Sequence, residues 1–223
     1  QLKRYGIPFV LLEKERFGGL LWNANLVENY PGFPGGVSGP KLIGLMEKQM
    51  ERIGVEVTFE EALRVANNPT TNHVEIKTQT KTYITSHLIV ASGTQSKLFP
   101  ISIPKDAQSK VFSDVYHLLD VHEKKIVIVG AGDAAFDNAL NLVKRGNFVT
   151  ILNRGAEVKC LGLLWERAKA ESAIAYHAET PVHKVTLDET VNRLEVRLDA
   201  GEFLKADYLL YAIGRVAQVD FIS

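Results

Sequence analysis

The chain has 223 residues, 46% of them hydrophobic, and its 26 lysines and arginines balance 26 aspartates and glutamates. A neutral chain argues against a general nucleic-acid or acidic-membrane binder, because both need a basic surface, and no apolar run approaches the roughly 18 residues of a transmembrane helix. A single cysteine, Cys160, excludes an intrachain disulfide and a cysteine-rich metal site, and favours a reducing, cytoplasmic compartment.

The predicted elements of the first half run from a helical end near Arg4 to a strand that stops at a glycine. In chain order they are a strand Phe9–Leu12 ending at Glu13, a helix Pro40–Arg52, strands Val55–Phe59, Leu63–Ala66 and Val74–Lys77, and the apolar run His87–Gly93. Continuous apolar runs of this kind are typical of parallel strands that are buried on both faces.

The second half repeats this order of elements. It has strand Ile126–Val129, helix Asp133–Arg145, strand Phe148–Leu152, a helix ending over Trp165–Glu171, strands Ile174–His177, Val182–Leu187 and Leu194–Leu198, and the closing run Tyr208–Gly214. We therefore predict an α/β protein with two Rossmann-like dinucleotide-binding domains, each with a small antiparallel β insert. The counterpart of the second half's glycine turn would lie before Gln1, and after Gly214 only Arg215–Ser223 remain although the first unit still needs a closing strand. We therefore expect a chain truncated at both ends.

Gly130, Gly132 and Ala135 form a G-x-G-x-x-A pattern between a strand and a helix. The first glycine permits a tight turn, the second a close approach of backbone to a pyrophosphate, and the small third residue close packing of helix on strand. The amides that open the helix would face the phosphates. The pattern alone also fits an ordinary strand-to-helix turn, but the surrounding elements favour a nucleotide site.

The end of the next strand bears on the choice of nucleotide. NAD sites place an acid there for the ribose 2′-OH, whereas this strand ends at Asn153–Arg154, with Lys159 close behind. Two cations favour the 2′-phosphate of NADP over NAD. The alternative is that both are solvated loop charges.

Three features of the first half suggest a second nucleotide. Glu13 suits a ribose diol such as that of FAD, and Gly18–Gly19 lets the backbone pass close to a ligand. The loop Glu28–Gly36 is too rich in proline and glycine for regular structure. It is either a plain surface loop or, as its position just before a helix favours, a loop that lines a cofactor.

These motifs resemble the low-molecular-weight thioredoxin reductase family, above all its ferredoxin–NADP reductase-like branch, which lacks a Cys-x-x-Cys. The resemblance covers nearly the whole chain and rests on GGLLWNANLVENYPGFPGGVSGP (Gly18–Pro40), LIVASG (Leu88–Gly93), VIVGAGDAAFDNAL (Val127–Leu140) and YLLYAIGR (Tyr208–Arg215). It implies a partial FAD domain over residues 1–104 without its first strand and phosphate loop, an NAD(P) domain over 105–214, and a return to the FAD domain over 215–223.

The resemblance also implies the cofactors FAD and NADP and a homodimer, while the neutral charge and the lack of a long apolar run predict no nucleic-acid or membrane partner. The FAD site would include Glu13, Gly18, Gly19, Asn29, Ala91, Ser92 and Gly93. The NADP site would include Gly130, Gly132, Asp133, Ala134 and Ala135 at the pyrophosphate, Arg154 and Lys159 at the cationic positions, and Gly214 and Arg215 on the nicotinamide side. We expect no catalytic side chain and no metal ligand, because the cofactors carry the hydride chemistry.

The sequence departs from this family at several positions. Asn153 and Gly155 replace the His and the middle Arg of the pattern His-Arg-Arg-x-x-x-Arg, Leu20 stands where a Gln is usual, and residues 216–218 lack the usual Pro. The largest departure is the segment VFSDVYHLLDVHEKK (residues 111–125), where a thioredoxin reductase carries Cys-x-x-Cys. Dithiol transfer needs a second thiol to resolve the mixed disulfide, so we expect none from this chain.

The remaining candidate groups receive structural interpretations. Cys160 is expected to pack as a small residue beside Leu161 and Trp165, and His117 and His122 to be solvated rather than a metal pair. The predicted function is an FAD-dependent NAD(P)H oxidoreductase that passes electrons from the flavin to an external acceptor such as ferredoxin or flavodoxin. Two alternatives stay open: a thioredoxin reductase-like protein by descent without an intrachain redox disulfide, and a non-catalytic nucleotide-binding sensor.

Overall fold

The computed structural model describes residues 1–222, with the backbone alone at residue 200. The chain divides into two compact units, the first made of Gln1–Trp22, Val27–Gln95 and Ala217–Ser223 and the second of Asn23–Leu26 and Ser96–Val216. Ser223, the last residue of the predicted return segment, lies outside the described residues. The assignment of residues 1–104 and 215–223 to FAD and of 105–214 to NAD(P) stays a prediction.

The first unit contains one long helix and two small sheets. Its elements are helix α1 (Gly39–Arg52) and strands β1 (Leu12–Glu13), β2 (Thr58–Phe59), β3 (Arg64–Asn68), β4 (His73–Lys77) and β5 (Thr82–Thr85), with 3₁₀ helices at Leu2–Tyr5 and Gly19–Asn23. β1 and β2 pair in parallel, and β3, β4 and β5 form an antiparallel sheet in that order. Pro40 lies in the first turn of α1, where a missing N–H costs no helical bond.

The run His87–Gly93, predicted as a buried strand, is not a strand in the structure. Ile89 is 75% exposed, and its neighbours Leu88 and Val90 are exposed as well. A parallel strand needs hydrogen-bonded neighbours for its backbone groups, and among its described residues the first unit has one pair of parallel strands, β1 with β2, besides a single parallel bridge of Val65 with Ile222. The same shortage of partners reduces the predicted strands Phe9–Leu12 and Val55–Phe59 to that two-residue pair.

The second unit is built on a five-stranded parallel sheet. Its strands are β7 (Val111–Phe112), β8 (Lys125–Val129), β9 (Phe148–Leu152), β10 (Ile174–His177) and β14 (Tyr208–Tyr211), in the spatial order β10-β9-β8-β14-β7. Helices α2 (Asp133–Val143) and α3 (Gly162–Lys169) and the antiparallel strands β11 (Val182–Asp188), β12 (Arg193–Leu198) and β13 (Phe203–Ala206) complete it, together with 3₁₀ turns at Gln108–Lys110, Val115–Leu118 and Asp199–Gly201. β5, β7 and β13 were not predicted.

The parallel sheet of the second unit is buried on both faces. Ile126 and Ile128 of β8 are 1% and 0% exposed and share one apolar cluster with Phe136 of α2. Val127, between them in the sequence, belongs to a second cluster that includes Val185 of β11. Because successive side chains of a strand point to opposite faces, the run Ile126–Val129 of β8 is apolar on both faces, and its predicted burial is confirmed; Lys125, which begins the strand, is exposed.

A further two-stranded sheet, made of β6 (Thr94–Ser96) and β15 (Arg215–Ala217), contains the positions at which the chain passes between the units. Within residues 1–222, none of the helices is long and apolar enough to cross a membrane.

Candidate functional site

The glycine turn after β8 lies where the strand order of the sheet reverses. β9 and β10 extend from one side of β8, whereas β14 lies on its other side. In open parallel sheets, ligands bind at the carboxyl ends of the strands at such a reversal. The turn therefore occupies the place where a nucleotide site is expected in this fold.

Gly130 is required by the geometry of this turn. Its φ is +127°, and a Cβ built on it would lie 2.2 Å from the carbonyl oxygen of Ala212, just after β14. Its N–H donates to the carbonyl oxygen of Leu152 at 2.9 Å, so the turn is fastened to the end of β9 as well. A side chain at residue 130 would meet backbone, which cannot move aside as a flexible side chain can.

The start of α2 presents backbone amides beyond the turn. The N–H groups of Ala135 and Phe136 donate to the carbonyl oxygen of Gly132 at 3.0 and 3.3 Å. The amides of Asp133 and Ala134 come before these bonds and stand at the positive end of the helix, where anions are favoured. Ala135 is completely buried, which confirms the expected close packing of helix on strand.

The loop that follows β9 is hydrogen-bonded to the glycine turn at residues 159–161, the end of the loop that is farther from β9. The Lys159 N–H donates to the Ala131 carbonyl oxygen at 3.0 Å, and the Leu161 N–H donates to the Asp133 carboxylate at 2.7 Å. The Asp133 side chain therefore joins the loop to the helix start. Since Asp133 was predicted only as part of the pyrophosphate turn, this tie is a contribution that the sequence pattern did not indicate.

The near end of the loop is organised by Asn153, which is only 8% exposed. Its side-chain amide donates to the Glu157 carbonyl oxygen at 2.8 Å and to the Tyr176 hydroxyl oxygen at 3.0 Å, and its carbonyl oxygen accepts from the Gly155 N–H at 3.1 Å. At the position where NAD sites present an acid to the ribose, this chain has a buried amide that bonds to its own loop and to Tyr176.

The two predicted cations, Arg154 and Lys159, are both exposed on this loop. Neither forms an ion pair within the described part of the chain. Glu157 is the one acidic residue between them. Two unpaired cations on a loop that is tied to the glycine turn form a candidate site for a phosphate group.

Gly214 and Arg215 follow β14 at the same edge of the sheet. Gly214 has φ +110° and accepts a hydrogen bond from the Lys97 N–H at 3.0 Å. Arg215 donates to the Ser96 hydroxyl at 2.8 Å and lies 3.4 Å from the Asp114 carboxylate. Arg215 is thus held by protein groups on the predicted nicotinamide side.

The same carboxylate binds a second residue that the sequence did not single out. Asn23 donates to Asp114 at 2.9 Å, and its own carbonyl oxygen accepts from the Tyr116 N–H at 3.0 Å. Asp114 lies in the segment that departs most from the family pattern, but Asn23 is 91 positions away. No local pattern could have joined these two residues.

In the first unit, Glu13 and the glycine pair stand where the sequence placed them along the chain. Glu13 ends β1, and its carboxylate accepts from the Glu15 N–H at 2.9 Å. Gly18 has φ +95°, and a Cβ there would lie 2.6 Å from Ile43, a completely buried residue of α1. Gly18 is therefore needed for packing, and Gly19 begins the 3₁₀ turn that follows.

The turn Ala91–Gly93 is exposed and is tied to the last segment of the first unit. Gly93 accepts from the Gln218 N–H at 3.1 Å, and the Ser92 hydroxyl donates to the Gln218 carbonyl oxygen. Asn29 is exposed in the irregular loop between Val27 and Val37, which bond to each other. No observation tests the predicted ligand contacts of these residues, which stay predictions.

Comparison with known proteins decides the family. The model of the pyridine nucleotide-disulphide oxidoreductase family matches residues 1–222. The chain belongs to this family. It is 32% identical over 221 residues to a thioredoxin reductase of Streptomyces coelicolor and 25% identical over 217 residues to one of Chlamydia pneumoniae. These matches cover 93% and 92% of the chain and 66% and 68% of the relatives, so the chain spans about two thirds of their length.

Solved structures agree with this pyridine nucleotide-disulphide oxidoreductase in fold. Thioredoxin reductase of Lactococcus lactis in its FR conformation gives a TM-score of 0.86 at 22% identity, covering 98% of the chain and 73% of that structure. The enzyme of T. acidophilum gives 0.85 at 21% identity, covering 99% and 73%. The predicted α/β fold, family and class of FAD- and NAD(P)H-dependent oxidoreductase are confirmed, whereas the ferredoxin–NADP reductase-like branch stays a prediction. The expected cofactors agree with a thioredoxin reductase family that uses FAD and NADPH.

The lone thiol of this pyridine nucleotide-disulphide oxidoreductase is a packing residue. Cys160 is half-buried against the apolar cluster that contains Trp165. Burial raises the pKa of the Cys160 thiol, and the nearby Asp133 carboxylate raises it further. A reactive thiol needs the opposite shift, because the thiolate is the nucleophile.

The two histidines of the segment before β8 have separate surroundings. His117 stacks on Phe112 with ring centroids 5.5 Å apart, and His122 lies 2.9 Å from the Arg145 carbonyl oxygen. Among residues 1–222, no group of three or more metal-ligating side chains is present.

Proposed function

We propose that the chain binds NADPH on its second unit and FAD on its first, and that the two exchange a hydride. The observation that carries this proposal is the glycine turn at the strand-order reversal, tied through Asp133 to a loop with two unpaired cations. The amides at the start of α2 suit a pyrophosphate. Arg154 and Lys159 suit a 2′-phosphate, which favours NADP over NAD.

The first unit fits FAD in part. Glu13 stands at the carboxyl end of β1, where an acid suits a ribose, and the turn Ala91–Gly93 is open to a ligand. When bound, FAD supplies the group that exchanges a hydride with the nicotinamide. A glycine turn like that after β8 is not among the described elements of this unit. We therefore expect these residues alone to bind FAD weakly.

We further propose that the electrons leave for an external acceptor, such as ferredoxin or flavodoxin, without a dithiol in this chain. The support is that Cys160 is the single cysteine and that residues 111–125, just before and into β8, contain none. The relatives named thioredoxin reductase favour a second candidate, a thioredoxin-like redox protein. The expected homodimer and cytoplasmic location stay predictions.

Anaerobic mixing of the chain with NADPH, in the presence of enough FAD to saturate its site, tests the first step. We expect the flavin absorbance to bleach, and to bleach more slowly with NADH at equal concentration. Stoichiometric binding of NADP without any bleaching would instead support a nucleotide-binding sensor. Ferredoxin, flavodoxin and thioredoxin are then added in turn to the reduced protein. Re-oxidation by thioredoxin alone would contradict the proposed acceptor.

The cationic loop is tested by substitution. Arg154→Ala and Lys159→Ala should each lower kcat/KM for NADPH by about tenfold or more, because each removes a charge-assisted contact with phosphate. The value for NADH should stay nearly unchanged. Lys184→Ala, which removes an exposed cation from β11, is the matched control. Equal losses with NADPH and NADH would contradict a 2′-phosphate site.

A further inference from the structure

The orientation of the Asn153 amide is fixed by two backbone groups. The Glu157 carbonyl oxygen is only an acceptor, and the Gly155 N–H is only a donor. The amide nitrogen must therefore face Glu157 and the amide oxygen must face Gly155. The second hydrogen of that nitrogen points to the Tyr176 hydroxyl oxygen, 3.0 Å away.

Tyr176 is itself held rigidly. It lies on β10, the strand that pairs with β9, and its ring packs at 5.1 Å from Trp165 and 6.0 Å from Phe136. Phe136 is completely buried in α2. The hydroxyl of Tyr176 is thus a fixed point from which the side chain of Asn153, and through it the loop, is placed.

Backbone bonds hold both ends of the same stretch: the Lys159 N–H donates to the Ala131 carbonyl oxygen at one end, and at the other the Thr180 N–H donates to the Asn153 carbonyl oxygen at 2.8 Å. The Asn153 N–H donates to the His177 carbonyl oxygen at 2.9 Å, and the Glu179 N–H donates to the Gly155 carbonyl oxygen at 3.0 Å. The Glu157 carbonyl oxygen accepts a hydrogen bond from the Asn153 amide. The middle of the cationic loop, at residue 157, is therefore held to the sheet by the amide that Tyr176 anchors, whereas the ends of the loop are held by backbone bonds.

We propose that Tyr176 is a positioning residue for cofactor specificity, acting through Asn153 on the loop that carries Arg154 and Lys159. This inference rests on the proposed NADP site. A phosphate contact depends on where the two cations stand, whereas binding of the rest of the nucleotide depends on the glycine turn. Loosening the loop therefore weakens recognition of a 2′-phosphate and leaves other contacts in place.

The arrangement also explains why an acid does not serve at residue 153. A carboxylate there could accept from the Gly155 N–H, but its second oxygen would face the Glu157 carbonyl oxygen, now 2.8 Å from the amide nitrogen. Two acceptors at that distance repel each other. The loop is thus built for an amide, and the NAD-type acid is incompatible with it.

Tyr176→Phe tests the proposal in the full chain, because it keeps the ring and removes the hydroxyl. Calorimetric titration with 2′,5′-ADP and with 5′-AMP measures the second unit without need of the flavin. Loss of one hydrogen bond on the loop should raise the dissociation constant of 2′,5′-ADP by about three- to tenfold. That of 5′-AMP should change by less than about twofold. Tyr208→Phe, which removes a hydroxyl elsewhere in the same sheet, should change neither.

Steady-state rates and amide exchange give independent measurements. KM for NADPH should rise about three- to tenfold in Tyr176→Phe while kcat changes less than twofold. The Gly155 amide should exchange with solvent faster, because its acceptor is less fixed. If wild type binds 2′,5′-ADP no better than 5′-AMP, the NADP site itself is wrong. If wild type discriminates and Tyr176→Phe discriminates equally well, the positioning role is overturned while the NADP site stands.

Discussion

Gly130 and Gly132 lie two residues apart in one turn, but the space around a side chain at each position differs. A methyl group at residue 130 would lie 2.2 Å from the Ala212 carbonyl oxygen, whereas one at residue 132 would lie 3.8 Å from the Lys159 carbonyl oxygen. The second distance is an ordinary contact. We therefore expect Gly130→Ala to impair folding and Gly132→Ala to impair nucleotide binding.

The size of each effect follows from these distances. At φ +127° an L-residue is strained by about 1–3 kcal/mol, and relief of the clash with backbone costs a further 1–3 kcal/mol or so. Gly130→Ala should thus lower the free energy of unfolding by about 2–6 kcal/mol, a large part of the roughly 5–15 kcal/mol of a whole domain. Gly132 has φ −95°, which alanine adopts freely, so its substitution should cost less than about 1 kcal/mol.

Urea denaturation followed by Trp165 fluorescence measures the stability of the second unit. The chain has two tryptophans, so a Trp22→Phe background leaves Trp165, beside Phe136, as the single reporter. Gly162→Ala is the control, because a Cβ there meets no atom within 4 Å. NADP binding, measured by calorimetry, should weaken by about tenfold or more in Gly132→Ala, a loss of about 1.4 kcal/mol.

Two results would refute this reasoning. If Gly130→Ala unfolds at the same urea concentration as Gly162→Ala, the short distance from residue 130 to the Ala212 backbone is contradicted. If Gly132→Ala binds NADP as tightly as wild type, the pyrophosphate does not pass over this turn.

Three further predictions concern titratable groups. The hydrogen bond from Thr190 and the nearby Lys205 lower the pKa of Asp188 to about 2 from an ordinary 3.8. The ionised Asp188 therefore stabilises the folded protein above about pH 4, and this contribution is lost as the pH falls towards 2. Asp188→Asn should flatten acid denaturation in that range, and an unchanged acid profile would contradict the assignment. Burial raises the pKa of Asp137, so the contribution of this carboxyl group to the free energy of unfolding falls as the pH rises through its raised pKa. Asp137→Asn should therefore raise the melting temperature at pH 7, and a lowered melting temperature would mean that the charge of Asp137 is needed. Cys160→Ser should leave the rate of flavin reduction by NADPH within about twofold of wild type, because a half-buried thiol of raised pKa is a poor nucleophile; a loss of turnover would show that the thiol takes part.

Several parts of this protein could be predicted from the sequence because they depend on near neighbours in the chain. The apolar run of β8, the glycines that follow it and the helix after them form one local unit, and the structure contains it as predicted. The positive φ of Gly130 and the burial of Ala135 follow from that local arrangement. The family resemblance rested on the same segments.

Other features were decided only by contacts between distant parts of the chain. The run His87–Gly93 has the composition of a buried strand, but a strand exists only where another backbone offers a series of hydrogen bonds, and the described first unit offers this run one, from the Gln218 N–H to Gly93. Asn153 was interpreted as a missing charge, whereas in the fold it holds the loop through Tyr176, 23 residues away. Local sequence fixes which backbone angles and which faces are favourable; the partner of a buried polar group depends on the whole fold, because it is chosen by proximity in space.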